Sequence, residues 1–359
     1  MKARTVYFTA PKKVEVREHE LPPLKDDEVL VKTICSSISA GTETLVYRGQ
    51  FPQVMDSHDA LSSNLKYPLA YGYACVGRIT ETGKQIDKGL RDRLVFGFHP
   101  HASSFITKIS LLILIPASLS ADTCSFFPNM ETAVNLIHDA APILGERVLV
   151  LGQGVVGLLV ASLLKEFPLE CLVTSDYYAI RRKASLDLGV NAAFDPVNDI
   201  SSTFSGNKKA LKQELKYQSD YAQKTELPMN FLAYAQIFDL TFELSGSPSA
   251  LNDAIAMTAF SGRIVVGSWY GEKQAQIDFG SSFHRSRIQL ISSQVSTIAP
   301  ALSGRWDKAR RFEVAWEALK RIQPQKWITH RFSIEEASEA YSLLDENPQE
   351  TIQVIFEYS

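Results

Sequence analysis

The stretch VLVLGQGVVGLLVASLL, Val148–Leu164, decides how this chain is read. An unbroken apolar run enters a glycine, which is the pattern of a strand buried on both faces of a sheet. From Val155 the sequence continues as an apolar helix. Between the two stands G-x-G-x-x-G, at Gly152, Gly154 and Gly157. A strand that ends in this pattern and opens a helix is the setting in which it binds a dinucleotide. The first glycine makes the turn and the second lets the backbone approach a pyrophosphate. The third lets helix and strand pack closely, and the N–H groups at the helix start, where Val155 and Val156 lie, face the anion. Asp176 closes the next strand-like run, LECLVTSD, 24 positions beyond Gly152. A carboxylate there accepts hydrogen bonds from an adenosine ribose and repels a 2′-phosphate, which favours NAD. Arg181 and Arg182 follow and tolerate a phosphate, so NADP stays open.

Outward from this turn the rhythm persists. AIRRKASLDLG reads as a second helix ended by Gly189. IFDLTFELSG, GRIVVGSW and RIQLISSQ read as further strands, with SALNDAIAMTAF helical between the first two. Such alternation specifies a parallel sheet covered by helices. The polar, lysine-rich segment from Asn198 to Gln236 reads as an elaborated connection. Before about residue 125 the chain holds short β-type runs (VEVREHE, EVLVKTI, ACVGRIT, RLVFGF, SLLILIP) broken by turn residues, as in an antiparallel barrel-like domain. After a helix around Asp307 to Arg321, the tail returns to strand, helix, strand.

The totals limit what else the chain does. Its 359 residues allow two domains, and 45% hydrophobic with 21% charged residues describes an ordinary globular protein. A net charge of −3 supplies no basic field, so no nucleic-acid partner is expected. Cys35, Cys75, Cys124 and Cys171 form no C-x-x-C, which fits reduced thiols in a cytoplasmic protein. The N-terminus has no apolar signal core, and the longest apolar run is too short to cross a bilayer, so no membrane partner is expected.

With the fingerprint placed after a β-rich N-terminal region, the chain resembles the medium-chain dehydrogenase/reductase superfamily. The likeness runs from VEVREHELPPLKDDEVLVKT through Gly41-Thr42, YGYACVGRITETG, GQGVVG and FELSG to ITHRFSIEEASEAYSLL. It implies an α/β chain: a GroES-like β-barrel catalytic domain (1–125), a Rossmann doubly wound parallel-sheet domain (126–305), and a C-terminal segment (306–359) returning to the first. Within the superfamily the chain is most similar to the bacteriochlorophyllide dehydrogenase branch. Zinc members carry Cys-Gly-Thr/Ser-Asp and Gly-His-Glu segments. Here these read Ala40-Gly41-Thr42-Glu43 and Gly72-Tyr73-Ala74, and the region of the third ligand reads Phe127-Pro128-Asn129. Catalytic zinc needs three protein ligands and an open position. The resemblance therefore implies a zinc-independent member, with no metal.

Without a Lewis acid, the substrate oxygen needs hydrogen-bond donors. Thr42 matches the hydroxyl residue that passes a proton to substrate in zinc relatives, or bonds its own backbone in a barrel turn. Tyr73 occupies the former histidine position and either donates to the oxygen or packs as a wall. His99 and His101 lie where the superfamily borders its substrate cleft, as a general acid or base or as structural imidazoles. Glu43 matches a second-shell acid and is expected to hold Arg48 or cap a turn; Asn129 and Glu131 are placed for contact with nicotinamide or substrate. Ser245, Gly246 and Gly267 end strands where the superfamily meets the cofactor ribose and nicotinamide. Tyr47, Phe51, Tyr71, Tyr73, Trp269 and Tyr270 fit a bulky or planar substrate. The expected activity is hydride transfer between NAD(H) and an alcohol or carbonyl of a small molecule, in a homodimer. The alternatives are an NADPH-dependent quinone or enoyl reductase, and a dinucleotide-binding protein with little catalysis.

Overall fold

The computed structural model describes residues 1–51, 65–197 and 237–358, so the connection expected from Asn198 to Gln236 lies outside the described residues. Two compact units emerge, Met1–Glu131 with Trp306–Ser359, and Thr132–Arg305.

In the first unit, strands β1 (Lys2–Ala10), β2 (Lys13–Glu20), β3 (Glu28–Ile38), β4 (Leu69–Ala70), β5 (Cys75–Thr82), β6 (Leu94–Gly97), β7 (Ser104–Lys108) and β8 (Leu112–Leu114) precede the dinucleotide turn. The tail adds β15 (Ile328–Ser333) and β16 (Gln353–Glu357). One sheet runs β2-β1-β4; a larger one runs β15-β16-β3-β5-β6-β8, with β7 also paired to β3. The tail thus completes the sheet begun by the N-terminal strands, through β16 antiparallel to β3. A core of Val6, Phe8, Ile38, Val46, Val354 and Phe356 sits beside it. Three helices flank these strands: α1 (Ala40–Arg48), α2 (Ala121–Cys124) and the start of α3 (Phe127–Ala140).

In the second unit, strands β9 (Arg147–Leu151), β10 (Cys171–Ser175), β11 (Ala192–Phe194), β12 (Phe238–Glu243), β13 (Thr258–Val266) and β14 (Gln289–Ser292) form a parallel sheet in the order β11-β10-β9-β12-β13-β14. Helices α4 (Val155–Leu164), α5 (Ala179–Asp187) and α6 (Ala250–Met257) connect them, and α7 (Lys308–Ile322) and α8 (Ala337–Glu346) belong to the first unit. Apolar residues on both faces explain the continuous hydrophobic run of β9, every residue of which after Arg147 is buried. Helix α4 is buried from Gly157 to Leu164, hence its lack of a polar face. Asp307 starts α7 by accepting the Arg310 N–H at 2.8 Å.

Three sequence expectations change. ISAGTETLVYRG forms α1 rather than a barrel turn. Thr258 to Phe260 leave the expected helix and open β13, with the Thr258 hydroxyl bonded to the Ala254 carbonyl at 2.7 Å and to Thr241 Oγ1 at 2.8 Å. Tyr47, Phe51, Tyr71 and Tyr73 all pack in one hydrophobic core, with Tyr47 stacked on Tyr341 at 5.7 Å.

All four cysteines are buried. Burial pushes the thiols of Cys75 and Cys124 up to about 12 and that of Cys171 to about 11, and raises Cys35 also. Since the thiolate is the reactive form, Ellman's reagent at pH 8 is expected to leave the native chain unlabelled and to titrate the thiols once guanidinium unfolds it. Rapid labelling of the native chain would contradict this packing.

Candidate dinucleotide and oxygen site

The dinucleotide turn is built at the C-terminal end of β9. Gly152 takes φ +90°, and its N–H donates to the Ser175 carbonyl at 2.8 Å, tying the turn to β10. Gly154 precedes α4 with no side-chain cap, and a Cβ added there would meet nothing within 4 Å. The open space and the uncapped helix start together form a cradle for an anionic group. Val155 and Val156, half-buried, begin the helix. The residues present therefore fit a dinucleotide pyrophosphate.

Asp176 follows β10 and is 7% exposed. Its Oδ2 accepts the Gln153 N–H at 2.7 Å and its Oδ1 accepts the Tyr178 N–H at 2.8 Å. Each oxygen keeps a lone pair for a further donor such as a ribose hydroxyl. Arg182 is turned away from any such ligand: its Nη1 donates to the carbonyls of Asp176 and Tyr177, both at 2.8 Å, and to Asp195 Oδ2 at 3.1 Å. Arg181 stands over the Tyr178 ring at 4.8 Å, with Nη1 4.0 Å from Asp176 Oδ2.

Further along the same sheet edge, Ser245 and Gly246 follow β12 and Gly267 follows β13. Here sequence reading missed an organising acid. Glu243 is fully buried; its Oε1 accepts from the Ser245 N–H at 2.8 Å and from the Ser245 hydroxyl, and its Oε2 from the Tyr270 hydroxyl at 2.5 Å. The Gly246 N–H donates to Ser268 Oγ at 2.9 Å and the Gly267 N–H to the Glu243 carbonyl at 3.0 Å.

In the first unit, the five expected catalytic residues separate into a cluster and an outlier. Glu43 does not hold Arg48, whose Nε donates to Asp345 Oδ1 at 2.5 Å. Glu43 is fully buried: its Oε1 accepts the Ser39 N–H at 2.8 Å, and its Oε2 meets His101 Nε2 at 2.9 Å and accepts from the Tyr341 hydroxyl at 2.5 Å. His101 Nδ1 meets Ser36 Oγ at 2.7 Å, which in turn meets the Tyr358 hydroxyl at 2.7 Å. Tyr73 is 9% exposed, and its phenol has the side chains of Ser39 and Thr42 as polar neighbours. Burial, aided by the charge of Glu43, pushes that phenol up to about 12. His99 stands apart. Its ring stacks on Phe105 at 4.0 Å, its Nδ1 donates to the Pro100 carbonyl at 2.8 Å, and it lines a cavity of about 170 Å³ with His19, Lys25 and Glu28. Burial holds its pKa below the usual imidazole range. Glu131 is also committed elsewhere, to Arg311 at 2.5 Å. Ser36, Tyr341 and Tyr358 carried no motif, and only their proximity in the fold brings them to the site.

Among the described residues, no three His, Cys, Asp or Glu side chains converge as a metal site. The one imidazole–carboxylate pair of this cluster, His101 with Glu43, is closed by hydroxyl donors, a set that does not suit zinc.

No family model matches the chain. L-threonine 3-dehydrogenase of Protochlamydia amoebophila is 27% identical over 204 residues, spanning 48% of this chain and 56% of that enzyme, little more than half its length. Among solved structures, L-idonate 5-dehydrogenase of Escherichia coli superposes with a TM-score of 0.73 at 17% identity, covering 100% of this chain and 99% of that one. RspB of Escherichia coli CFT073, an alcohol dehydrogenase solved with NADH, superposes with a TM-score of 0.71 at 17% identity, covering 99% of each. The fold is that of the alcohol dehydrogenase-like medium-chain dehydrogenases: a GroES-like unit with a Rossmann unit.

Proposed function

We infer that the chain is an NAD(P)-dependent dehydrogenase/reductase of the medium-chain type that works without zinc, prefers NADH, and interconverts an alcohol and a carbonyl. The observation that carries this reading is the β9–α4 turn, with an open cradle at Gly154 and a buried carboxylate at Asp176. The bound nicotinamide supplies or accepts the hydride. The chain's own share is to seat the pyrophosphate at the start of α4, hold the ribose at Asp176, and stabilise the substrate oxygen with hydroxyl donors. Tyr73 suits that last task, since its raised pKa keeps the phenol protonated throughout the neutral range. Zinc has no place in this reading because Ala40, Tyr73 and Phe127-Pro128-Asn129 offer neither thiolate nor imidazole.

The same reading expects a small-molecule substrate and a cytoplasmic homodimer, in the branch that resembles bacteriochlorophyllide dehydrogenase. With Tyr47, Phe51, Tyr71 and Tyr73 in the core, Trp269 of that aromatic set, 36% exposed, remains open to solvent. One observation favours an NADPH-dependent quinone or enoyl reductase instead: Arg181, already 4.0 Å from Asp176, is placed to meet a 2′-phosphate.

Parallel fluorescence titrations with NADH and NADPH separate the two. NADH is expected to bind at least about tenfold tighter, a difference of about 1.4 kcal/mol. Tighter binding of NADPH would move the enoyl or quinone reading to first place, and binding of neither would remove the dinucleotide reading itself.

A further inference from the structure

The imidazole of His99 keeps one nitrogen open. Its Nδ1 lies 2.8 Å from the Pro100 carbonyl oxygen, which can only accept, so the proton of the neutral ring sits on Nδ1. Burial holds the ring neutral by pushing its pKa below the usual imidazole range. Nε2 then carries a bare lone pair, and it has no hydrogen-bond partner among the described residues. Stacking on Phe105, 4.0 Å away and 12° from parallel, fixes the plane of the ring. The ring borders the cavity of about 170 Å³ in the first unit, and Thr5 of β1 borders it too. Thr5 is 5% exposed, pairs with Ala102 through an isolated bridge, and its hydroxyl has no hydrogen-bond partner among the described residues. A sheltered hydroxyl and a sheltered lone pair cost free energy unless a ligand or solvent bonds them. The other walls are apolar or already bonded. Leu21 and Pro22 of the β2–β3 connection and Phe105 and Ile106 of β7 supply hydrocarbon. The Ser104 hydroxyl donates to the Ser103 carbonyl at 2.8 Å. Charge stays at the rim, where exposed Lys25 pairs with Glu28 at 3.3 Å and His19 faces solvent. None of Thr42, Glu43, Tyr73 and His101 lines this cavity, which is separate from the cluster around Glu43.

We propose that this cavity binds a small neutral molecule with an apolar body and one hydroxyl, a phenol by chemical class, whose O–H donates to His99 Nε2 and whose oxygen accepts from the Thr5 hydroxyl. Apolar walls with a few matched polar groups are the usual make-up of a small-ligand site. A space of about 170 Å³ far exceeds the need of a single water. A carboxylate suits the cavity less well, because it brings no proton for Nε2 and sets a charge against a neutral ring and hydrocarbon. The ligand is additional to any substrate or cofactor, and the site does not depend on the dinucleotide reading, so failure of either leaves the other intact.

Phenol, anisole and benzoate share a ring and differ at the oxygen, and together they test the assignment on the full chain. Calorimetric titration is expected to show phenol binding in the millimolar range, about tenfold tighter than anisole, the effect of one hydrogen bond to a sheltered acceptor. Benzoate should bind more weakly than phenol. Long-range proton–nitrogen spectra should show phenol moving the His99 Nε2 resonance and leaving that of His101 in place. His99→Phe keeps a ring on Phe105 and removes the acceptor, so the preference for phenol over anisole should vanish. Thr5→Val, nearly isosteric, should weaken phenol about threefold, and it keeps the test open should His99→Phe fail to fold. Three results would overturn the proposal: phenol bound no tighter than anisole, a preference that survives in His99→Phe, or benzoate bound tightest through Lys25 and His19. Phenol that leaves the His99 resonance unmoved would do the same.

Discussion

Gly157→Ala is expected to abolish measurable NADH binding and to destabilise the second unit, whereas Gly154→Ala should lose binding alone. The contrast follows from what a methyl group would meet. At Gly157 a Cβ would lie 2.0 Å from the Gly152 carbonyl oxygen and 2.9 Å from its carbon, so α4 must move off the turn it springs from. Overpacking against backbone, where no side-chain rotation gives relief, costs about 3 kcal/mol or more. Displacing α4 also misdirects its N–H groups, so NADH affinity should fall by more than about 100-fold, or about 2.7 kcal/mol. At Gly154 an added Cβ meets no atom of the chain, and φ is −65°, a value open to any residue. Gly154→Ala should therefore unfold at the wild-type midpoint. Its methyl group would occupy only the open space that the proposed function gives to the pyrophosphate. Thermal melts and NADH fluorescence titrations of both variants check the pair. If Gly154→Ala binds NADH as wild type does, the cradle is not the anion site, however well the chain folds.

The dinucleotide half was open to reading because its information is local. The apolar run of β9, three glycines, an apolar helix and an acid stand within 29 consecutive residues, Val148 to Asp176, and each signal has a mechanism that needs no distant partner. The other half was not, for the opposite reason. ISAGTETLVYRG holds two glycines and two threonines, weak helix formers, and its helix is anchored through Glu43 by His101, 58 residues away, and Tyr341, 298 residues away. Glu43 and Arg48 look like neighbours along the chain, yet the buried acid draws its donors from across the fold and leaves Arg48 to Asp345. His99 and His101 look equivalent in GFHPHASSF, but they sit in separate environments, one stacked on Phe105 and the other sealed against Glu43. Local motifs marked the β9–α4 turn, while the cluster around Glu43 depends on contacts that pattern and spacing do not encode.

Arg311→Met is expected to cost about 3–5 kcal/mol at pH 8 and far less at pH 5. Arg311 is fully buried on α7, and its Nη2 donates to Glu131 Oε1 at 2.5 Å, where α3 and α7 also meet through Phe127 stacked on Trp316 at 4.1 Å. Burial raises the pKa of Glu131, while the charge and hydrogen bond of Arg311 hold it down. Without the guanidinium, burial acts unopposed and the folded-state pKa climbs further above the unfolded value of about 4.3. The sign then follows from proton binding. Between these two values the folded chain holds the proton more tightly than the unfolded chain, so stability falls as pH rises through that window. Below it, the acid is neutral in both states and the missing cation matters little. Above it, an uncompensated carboxylate is buried and the loss is complete. Adding Glu131→Gln removes the acid and should restore most of the stability at pH 8, because the cost lies in the stranded charge and not in the absent pair. Urea denaturation of both variants at pH 5 and pH 8 decides the matter: a loss equal at the two pH values, or undiminished in the double variant, would assign the effect to the other contacts of Arg311 instead.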